Sequence, residues 1–578
     1  TPGEVIKYRA REDGEEAKGM VSRTLKSDME KVYNHLKDKY GYDAGSYTSF
    51  PADEENTKIL ARIDWNITDR HRLSLRYNNT KNTAWNAPNG NSSDTGYRLN
   101  NTYRVGTQSM AFANSMYSMD NKVQSWATDL NSRFTDKISN QLLFTYTNIE
   151  DMRGTNSSPF PFIDIMAGKD ENGNQILEPY MSAGYELFTY NNGVKNKITN
   201  ITDNFTFFTG NHKLTAGLSY EHQFANNAYM RNGTGYYRYN SLEDFLSGAA
   251  PESFALTYGF NGVANPNAQV TFNQLGFYAQ DEWNLGNSLK LTYGIRFDGL
   301  FFDNGDLMTN NAIKAIDYYD SNNKVRNIDT GLWPSGKVTV SPRVGFTWDV
   351  LKNKTLTVRG GTGLFSGRLP LVFFTNMPTN SGMVQYQAQI NAKNAEKKGF
   401  TMDAFKGGLV TNGGKATGQA LLDKLVGLGY PSDISPDKGT VPSSISAVDR
   451  KFKMPQVWKT SLAVDYQFPT SFPFSITAEG IYNKTVNGVM MSDWSIIPIE
   501  GYARWNGADN RPIFPSTFRS GTKAFVLENT HKGYGYSANV TVNMRPIENL
   551  SIMAAYTHTA SKEITGMPGS NAESAFTY

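Results

Sequence analysis

The six histidines are the first place to look for chemistry, because imidazole is a frequent general base and metal ligand. They are scattered along the chain, and no His–Ser–Asp spacing of a hydrolase, HExxH motif or phosphate loop is present. The chain has no cysteine, which excludes thiol catalysis and cysteine-ligated zinc. The sequence therefore predicts no catalytic residues, no metal ligands, no cofactor and no enzyme activity. The histidines are His35, His71, His212, His222, His531 and His558.

One acidic segment contains the residue types of a calcium loop. Residues 170–174 read DENGN, and Glu178 follows them. Alternate oxygen ligands of a tight loop can converge on a hard cation. The segment lacks the order and Glu spacing of an EF-hand, and a plain Asn-Gly turn explains the same residues. Both interpretations stay open, and the turn is favoured.

Three aromatic-rich segments are better candidates for a binding site. Tyrosine and tryptophan offer flat apolar area with a polar tip at low entropic cost, which suits sugars or peptides. Packing of loops against one another is the alternative explanation. The predicted ligand-binding residues are Trp85, Tyr97 and Tyr103 in the first segment, Tyr229, Tyr236, Tyr237, Arg238 and Tyr239 in the second, and Trp494 and Trp505 in the third.

A hydrophobic period of two predicts the elements that carry these segments. Between Leu289 and Phe301, apolar residues alternate with polar ones, so one side of the strand is apolar and the other polar. The same pattern recurs in seven pairs, each joined by a tight turn rich in Asp, Asn, Gly or Pro. The predicted hairpins are 57–67 with 71–81, 122–134 with 138–150, 197–208 with 213–226, 271–284 with 289–302, 338–350 with 355–366, 456–468 with 473–484, and 533–545 with 549–561.

Long connections separate the hairpins and all fall on one side of the sheet. Two short helices are predicted, one near 417–427 and one in the N-terminal segment, where Val21, Leu25, Val32 and Leu36 have helical spacing. The domain prediction is an external loop with a short helix over 1–56, barrel strands over 57–561, and the start of a further loop over 562–578. The long loops are predicted at 82–121, 151–196, 227–270, 303–337, 367–455 and 485–532.

Strand length decides between a soluble sandwich and a membrane wall. Fourteen strands of about 10 residues or more exceed the usual sandwich strand but match a tilted membrane crossing. The hydrophobic fraction is only 39%, and no run of 18 apolar residues exists, because each strand is half polar. Aromatics make up 13% of the chain, as expected for interfacial girdles. Arg62, Arg296 and Arg343 fall on the polar face, while Asp203 and Asp281 are exceptions on the apolar one.

The net charge is +3, with no polybasic cluster, so nucleic acid is not a predicted partner. The sequence thus predicts an all-β fold, a transmembrane antiparallel β-barrel with long extracellular loops. Its predicted location is the bacterial outer membrane, with outer-membrane lipid as a partner and the loops facing the cell exterior.

Several strand sequences resemble those of TonB-dependent outer-membrane receptors. The resemblance is carried by FNQLGFYAQDEW at 272–283, LTYGIRFD at 291–298, SPRVGF at 341–346 and VRGGTGLFSGR at 358–368, and by ARIDWNITDRHRLSLRY at 61–77 and PQVWKTSLAVDY at 455–466. Together with YGYDAGSY at 40–47, they are similar to the Oar-like branch, which is close to the SusC/RagA-type receptors of Bacteroidota. The resemblance covers most strands and few loops.

The resemblance implies a barrel of about 22 strands, of which about 14 are visible here, closed by an N-terminal plug domain. No segment is typical of a plug, so the plug is expected upstream of Thr1, in the same polypeptide, and more barrel is expected after Tyr578. The implied partners are that plug, the TonB–ExbB–ExbD complex and, as a further candidate, a surface lipoprotein. The charged residues of the polar face either contact the plug or pair with one another.

The implied function is TonB-dependent transport of a large nutrient, a peptide or a glycan, across the outer membrane. Two alternatives stay open: a surface adhesion or interaction barrel, and a TonB-linked protein exporter without nutrient uptake.

Overall fold

Long antiparallel strands dominate the computed structural model, which describes residues 7–90, 92, 104–305, 307–411, 419–498, 500–564, 567, 569 and 571–577. Each of the seven predicted hairpins is present, and successive hairpins pair side by side in chain order. The strands of the seven hairpins are Glu54–Thr68 with His71–Asn86, Tyr117–Arg133 with Ile138–Gly154, Gly193–Thr209 with His212–Ala228, Ala268–Leu285 with Leu289–Asp303, Lys337–Asp349 with Leu356–Ser366, Gln456–Gln467 with Phe474–Asp493, and Tyr534–Ile547 with Leu550–Lys562.

The ladder register gives this sheet two chemically different faces. Ile295 lies beside Ala279 on one neighbouring strand and Pro342 on the other, whereas Arg296 lies between Tyr278 and Ser341. We call these the apolar face and the polar face. On the apolar face Ile63, Ile295 and Val344 are exposed at the protein surface and not buried in a core, as a wall in contact with hydrocarbon requires.

The sheet is open in the described part of the chain. Its two edge strands, Glu54–Thr68 and Leu550–Lys562, each pair with one neighbour and not with each other. At the outer end of Phe474–Asp493 the sheet continues into Lys523–Thr530, which pairs in parallel with Ser444–Val448. The sheet, which we call the wall, therefore extends beyond the seven hairpins at this end of Phe474–Asp493.

The connections predicted as loops contain a second sheet, which the sequence analysis did not anticipate. Its six strands come from four different connections between hairpins. In spatial order they are Gln385–Asn391, Ser253–Gly259, Tyr236–Tyr239, Phe162–Met166, Pro179–Ala183 and Met110–Ala111. The helix Lys26–Tyr40 packs on it through Met29, Val32 and Leu36, all fully buried. We call this sheet and helix the loop domain.

The N-terminal helix begins later than its apolar spacing predicts. Val21 and Leu25 belong to the strand Val21–Leu25, which pairs in parallel with Arg9–Arg11. Backbone pairing with a neighbouring strand therefore overrides the helical spacing at these two positions. The second predicted helix is confirmed, at Gln419–Gly427.

The remaining elements are short. None of the helices in the described residues has the length and apolar character needed to span a membrane. A two-stranded ribbon joins Tyr318–Tyr319 and Val325–Arg326. The other α-helices are Leu242–Ser247, Asn311–Lys314, Val372–Thr379, Ala392–Glu396 and Ala572–Thr577, and 3-10 turns lie at Ala113–Ser115, Phe260–Gly262, Met402–Phe405 and Pro436–Lys438.

Gly41 ends the helix of the loop domain in a left-handed conformation, with φ of 63°. Its N–H donates to the Lys37 carbonyl, and the N–H of Tyr42 donates to the Leu36 carbonyl, which closes the last turn. A Cβ at this position would meet no other atom, so Gly41→Ala tests the backbone conformation alone. We expect this substitution to destabilise the loop domain by about 1 kcal/mol, measured as a lower urea midpoint. Gly427→Ala, at a helical glycine without positive φ and with open space around it, is the control and should not lower the midpoint.

Candidate functional site

The polar face of the sheet carries a cavity of about 310 Å³ near the middle of its strands. Five neighbouring strands contribute its side chains, because the register places every second residue of each strand on this face. They are the four strands from Gly193–Thr209 to Leu289–Asp303 and the adjacent strand Lys337–Asp349. The polar side chains that line it include Ser219, Glu221, Gln274, Tyr278, Arg296, Arg343 and Arg368.

Arg296, which lines this cavity, forms an ion pair with Asp298. Arg296 Nη2 lies 2.7 Å from Asp298 Oδ1, and Nε donates to Oδ2 at 2.9 Å. Arg296 also donates to Ser219 Oγ at 2.9 Å, and Gln274 donates to Asp298 Oδ1 at 3.1 Å. A bidentate pair of this kind holds both side chains in one geometry. The Arg296 guanidinium is therefore held in one orientation at the cavity.

Glu221 forms a second polar group at the edge of the cavity. The carboxylate accepts hydrogen bonds from Arg368, Asn200 and Gln223. Arg368 follows the strand Leu356–Ser366, so the pair links the wall to the connection that begins there. Glu221 is almost fully buried, whereas the Arg368 side chain is 60% exposed. The exposed guanidinium is thus available to an anionic or polar ligand.

Arg343 differs from Arg296 because it has no carboxylate partner among the described residues. Its guanidinium lies 4.4 Å from the ring centroid of Phe365. Lys459 lies over the same ring at 5.7 Å. Two cations on one aromatic ring leave this part of the polar face positively charged.

Most of the other charged residues of the polar face pair within the wall. Arg62 binds Asp64 at 2.8 Å, and Arg359 binds Asp465 at 3.1 Å and Glu479 at 3.3 Å. Asp349 accepts from the backbone N–H of Lys354 in its own turn. The pairs of Arg62 and Arg359 are contacts of the kind expected if charged residues of the polar face pair with one another.

The loop domain contains a buried charge cluster that sequence analysis did not identify. Arg104 donates to Asp164 through Nε at 2.8 Å and Nη2 at 2.7 Å, and both side chains are fully buried. Asp164 also accepts from Ser182 and from the Tyr236 hydroxyl, each at 2.7 Å. Arg238 donates to that same hydroxyl at 3.2 Å. Every oxygen of the carboxylate is therefore used within the domain.

This cluster predicts an acid-sensitive loop domain. Burial raises the pKa of Asp164, but the Arg104 guanidinium and the hydrogen bonds outweigh it, so the net pKa is lowered. A lowered carboxyl pKa contributes stability that is complete above the unfolded value of about 3.9 and is lost as the pH falls towards the folded value. We expect the urea midpoint of the loop domain, followed by near-ultraviolet circular dichroism of its buried tyrosines, to stay level down to about pH 5 and to fall below about pH 4.

The double variant Arg104→Gln with Asp164→Asn is the control for this pH dependence, because it removes both charges together and leaves no unpaired buried guanidinium. It has no titrating carboxyl at this position, so its midpoint should change less between about pH 5 and pH 3 than that of the parent. Equal acid dependence in the two proteins would assign the effect to other carboxylates.

The structure buries most of the aromatic residues predicted to bind ligand. Tyr236, Tyr237, Arg238 and Tyr239 form one strand inside the loop domain and are at most 2% exposed. Trp494 is buried in a separate cluster with Ile445 and Val526. In this conformation these side chains stabilise the folded connections, as the packing alternative predicts. Their role in ligand binding stays a prediction.

Three of the predicted residues remain accessible in the described part of the chain. Trp505 is 57% exposed and Tyr229 is 40% exposed, both outside the wall strands. Trp85 is half-buried and lies in the strand His71–Asn86, where it pairs with Ser118, and not in a loop. Tyr97 and Tyr103 lie outside the described residues.

The segment after Lys169 forms a tight turn. Asp170 Oδ1 accepts from the backbone N–H of Asn172 and of Asn174, at 2.9 and 2.8 Å. Gly173 has a φ of 80°, and Glu178 pairs with Arg23 at 2.9 Å. The hydrogen bonds from Asn174 lower the pKa of Asp170. Within the described ranges, no group of three or more acidic or histidine side chains is arranged to hold a metal.

The chain is similar in fold to solved outer membrane proteins. The outer membrane transporter YddB from Escherichia coli is 10% identical, with 90% of this chain and 56% of that chain covered and a TM-score of 0.46. The ferric-catecholate import receptor Fiu from E. coli K12 is 11% identical, with 89% and 59% covered and a TM-score of 0.41. The siderophore receptor PirA from Pseudomonas aeruginosa is 9% identical, with 88% and 57% covered and a TM-score of 0.41.

The chain thus spans a little over half the length of these structures. No curated protein sequence matches it. A family model described as an outer membrane beta barrel domain matches residues 27–577, nearly the whole chain. This protein is located in the bacterial outer membrane and belongs to the outer membrane beta barrel domain family.

Proposed function

We propose that this protein is a TonB-dependent receptor that imports a large nutrient, a peptide or a glycan, across the outer membrane. The observation that carries the proposal is the contrast between the two faces of the wall. One face is apolar and exposed, and the other carries ion pairs and hydrogen bonds beside a polar cavity. A surface of this kind is suited to line a water-filled path for a polar solute.

The proposal includes a wider barrel than the fourteen hairpin strands. The outer edges of Glu54–Thr68 and Leu550–Lys562 are unpaired in the described residues, and unpaired edges inside a membrane are costly. This supports closure by further strands, to about 22 in total. A barrel of that width needs a plug, which we propose to be a domain of the same polypeptide moved by the TonB–ExbB–ExbD complex. The Oar-like branch, with a surface lipoprotein as a further partner, is part of the same proposal.

In this proposal the ligand first binds to exposed side chains of the connections. Trp505 and Tyr229 are the accessible members of the predicted set. The exposed guanidiniums of Arg368 and Arg343 lie at the polar cavity and would contact the ligand next.

Uptake and growth on defined peptides and glycans test this function. A deletion strain should lose uptake of at least one ligand class, and a strain without TonB should lose the same class. Adding back the gene with Trp505→Ala should restore less uptake than the parent gene. Trp126→Ala is the matched control, since Trp126 is 54% exposed against 57% for Trp505 but lies on the apolar face of the wall.

Each outcome separates nutrient import from the alternatives. An unchanged uptake profile of the deletion strain over all ligands would contradict import. If cells of the deletion strain also failed to bind to a surface, the result would favour adhesion over nutrient import. A loss of secreted proteins with unchanged uptake would favour export. Outer-membrane abundance of each variant, measured by immunoblot, shows whether lost uptake reflects lost protein.

A further inference from the structure

Asp281 is a carboxylate on the apolar face of the wall. In the ladder it lies between Leu214 and Tyr293, and the row continues to Phe207 on one side and Val344 on the other. Charged residues facing lipid destabilise a barrel unless they find a partner or lie near the interface. Asp281 is only 7% exposed, so its charge needs a specific partner.

One of its two oxygens has partners and the other has none. Oδ2 is 2.7 Å from His212 Nδ1 and accepts from the Tyr293 hydroxyl, also at 2.7 Å. Oδ1 is buried without a hydrogen-bond partner among the described residues. Trp283 stacks on His212, with ring centroids 5.2 Å apart. The positions of Asp281 and His212 are therefore fixed by these contacts, but Asp281 Oδ1 lacks a hydrogen-bond donor.

Beside Asp281 the apolar face contains a groove of about 690 Å³. Its floor is formed by the small residues Ala216 and Ala279, which face each other across the ladder. Phe205 and Phe207 stand on one side of the floor and Ile295 on the other. Most of the groove is apolar, and Asp281 is the acidic residue of its lining; Thr215, Gln280 and Arg343, which occupy polar-face positions of the ladder, also border it. An elongated apolar molecule with a cationic end matches this distribution.

The position along the strand places Asp281 near the periplasmic surface. The turn at Gly286 and Asn287 is the short, periplasmic end of its hairpin. Leu285, the last residue of the strand, lies four residues from Asp281, about 14 Å of chain before the tilt is taken into account. Trp283 and Tyr293 are residue types of the interfacial aromatic belt. The carboxylate thus lies where lipid headgroups of the inner leaflet meet the wall.

We propose that Asp281 and this groove bind a phospholipid with a primary ammonium headgroup, phosphatidylethanolamine, from the periplasmic leaflet. The ammonium donates to Asp281 Oδ1, and an acyl chain lies over Ala216 and Ala279. A charge-assisted hydrogen bond satisfies the buried carboxylate oxygen. Phosphatidylglycerol has no cationic group and cannot provide this contact. The site depends on the membrane location of the wall and not on the transported ligand.

The matched control is the other acidic residue of the apolar face. Asp203 lies in the ladder between Leu142 and Leu218, and its Oδ1 accepts from Asn140 Nδ2 at 2.6 Å. Asp203 Oδ1 therefore has a protein donor, whereas Asp281 has donors on Oδ2 and none on Oδ1. Substituting each by asparagine compares a carboxylate that has an unpartnered buried oxygen with one on the same surface that does not.

Native mass spectrometry of the full-length protein tests the proposal, after extraction from nanodiscs with equal phosphatidylethanolamine and phosphatidylglycerol. We expect the parent and Asp203→Asn to retain phosphatidylethanolamine selectively. Asp281→Asn should lower that retention about tenfold, as expected for the loss of a hydrogen bond to a charged group. Retention of phosphatidylglycerol should stay the same in all three proteins.

Ala279→Leu keeps the test valid if Asp281→Asn fails to fold. Ala279 is exposed on the apolar face, so leucine there fills the groove and leaves the carboxylate cluster in place. It should also lower phosphatidylethanolamine retention. Equal retention of the two lipids by the parent would overturn the proposal. Unchanged retention in Ala279→Leu and in any folded Asp281→Asn, or an equal loss in Asp203→Asn, would do the same.

Discussion

Asp164→Asn is expected to unfold the loop domain while the wall stays assembled. The substitution keeps the shape of the side chain but leaves the fully buried Arg104 guanidinium without a counter-charge. Breaking a buried pair on one side costs about 3–5 kcal/mol. The new amide NH2 would also face one of the two Arg104 N–H groups, whichever oxygen it replaces, and two donors cannot form a hydrogen bond with each other. An ordinary domain has a stability of about 5–15 kcal/mol, so such a loss removes a large part of it and unfolds a domain at the lower end of that range.

Limited proteolysis of intact cells measures this effect. We expect new cleavage in the connections that form the loop domain, with fragments from the wall strands still protected by the membrane. Lys31→Ala is the control, because the Lys31 side chain is 61% exposed in its pair with Asp28, and exposed pairs contribute little. A protease pattern of Asp164→Asn identical to that of Lys31→Ala would contradict a structural role for the buried pair.

Ile295→Arg is expected to prevent assembly of the wall. Ile295 lies near the middle of its strand on the apolar face, where an arginine facing hydrocarbon costs about 2–4 kcal/mol. We expect a strong reduction of protein in the outer membrane, measured by fractionation and by heat-modifiable migration in gels. The effect follows from the solvent on that side of the sheet and not from any contact with another residue.

Gln280→Arg is the matched control for the face of the sheet. Gln280 pairs with Gly294, one residue before Ile295, and therefore lies on the polar face. An added arginine there enters the polar cavity, so normal assembly is expected. If Gln280→Arg blocked assembly and Ile295→Arg did not, the assignment of the two faces would be reversed.

The wall could be predicted from the sequence because local rules determine it. Alternation places Ile295 and Arg296 on opposite faces, and turn residues such as Gly286 and Asn287 mark where each hairpin reverses. Neither rule needs information about distant residues. The open edges and the continuation into Lys523–Thr530 could not be predicted in this way, because they depend on which segments pair in space.

The loop domain could not be predicted, for a physical reason. Its strands are short and buried on both sides, so Phe162–Met166 and Ser253–Gly259 show no alternation. Phe162–Met166 also pairs in parallel with Tyr236–Tyr239, which no hairpin rule predicts. One signal was present in the sequence: Asp164 stands alone between apolar residues in FIDIM. A carboxylate in such a strand requires a buried partner.

The burial of the candidate binding residues could not be predicted from the sequence either. Tyr236, Tyr237 and Tyr239 have the composition of a binding surface, but composition does not distinguish a surface from a core of aromatic side chains. Alternation alone placed Arg296 and Arg343 on the polar face, where the structure has them, although it predicted no cavity there. Arg368 was missed because it follows the end of a strand, where the period of two no longer applies.

The loop domain also has a consequence for the order in which this protein folds. Its parts come from distant places in the chain: the Leu409 N–H donates to the Tyr40 hydroxyl across 369 residues. Bringing such segments together loses more chain entropy than closing a hairpin, and contacts of long sequence separation form slowly. We therefore expect the hairpins to form first and the loop domain to be the last part to reach its native structure. During that interval its apolar strands are exposed, and a periplasmic chaperone that covers them would raise the yield of folded protein.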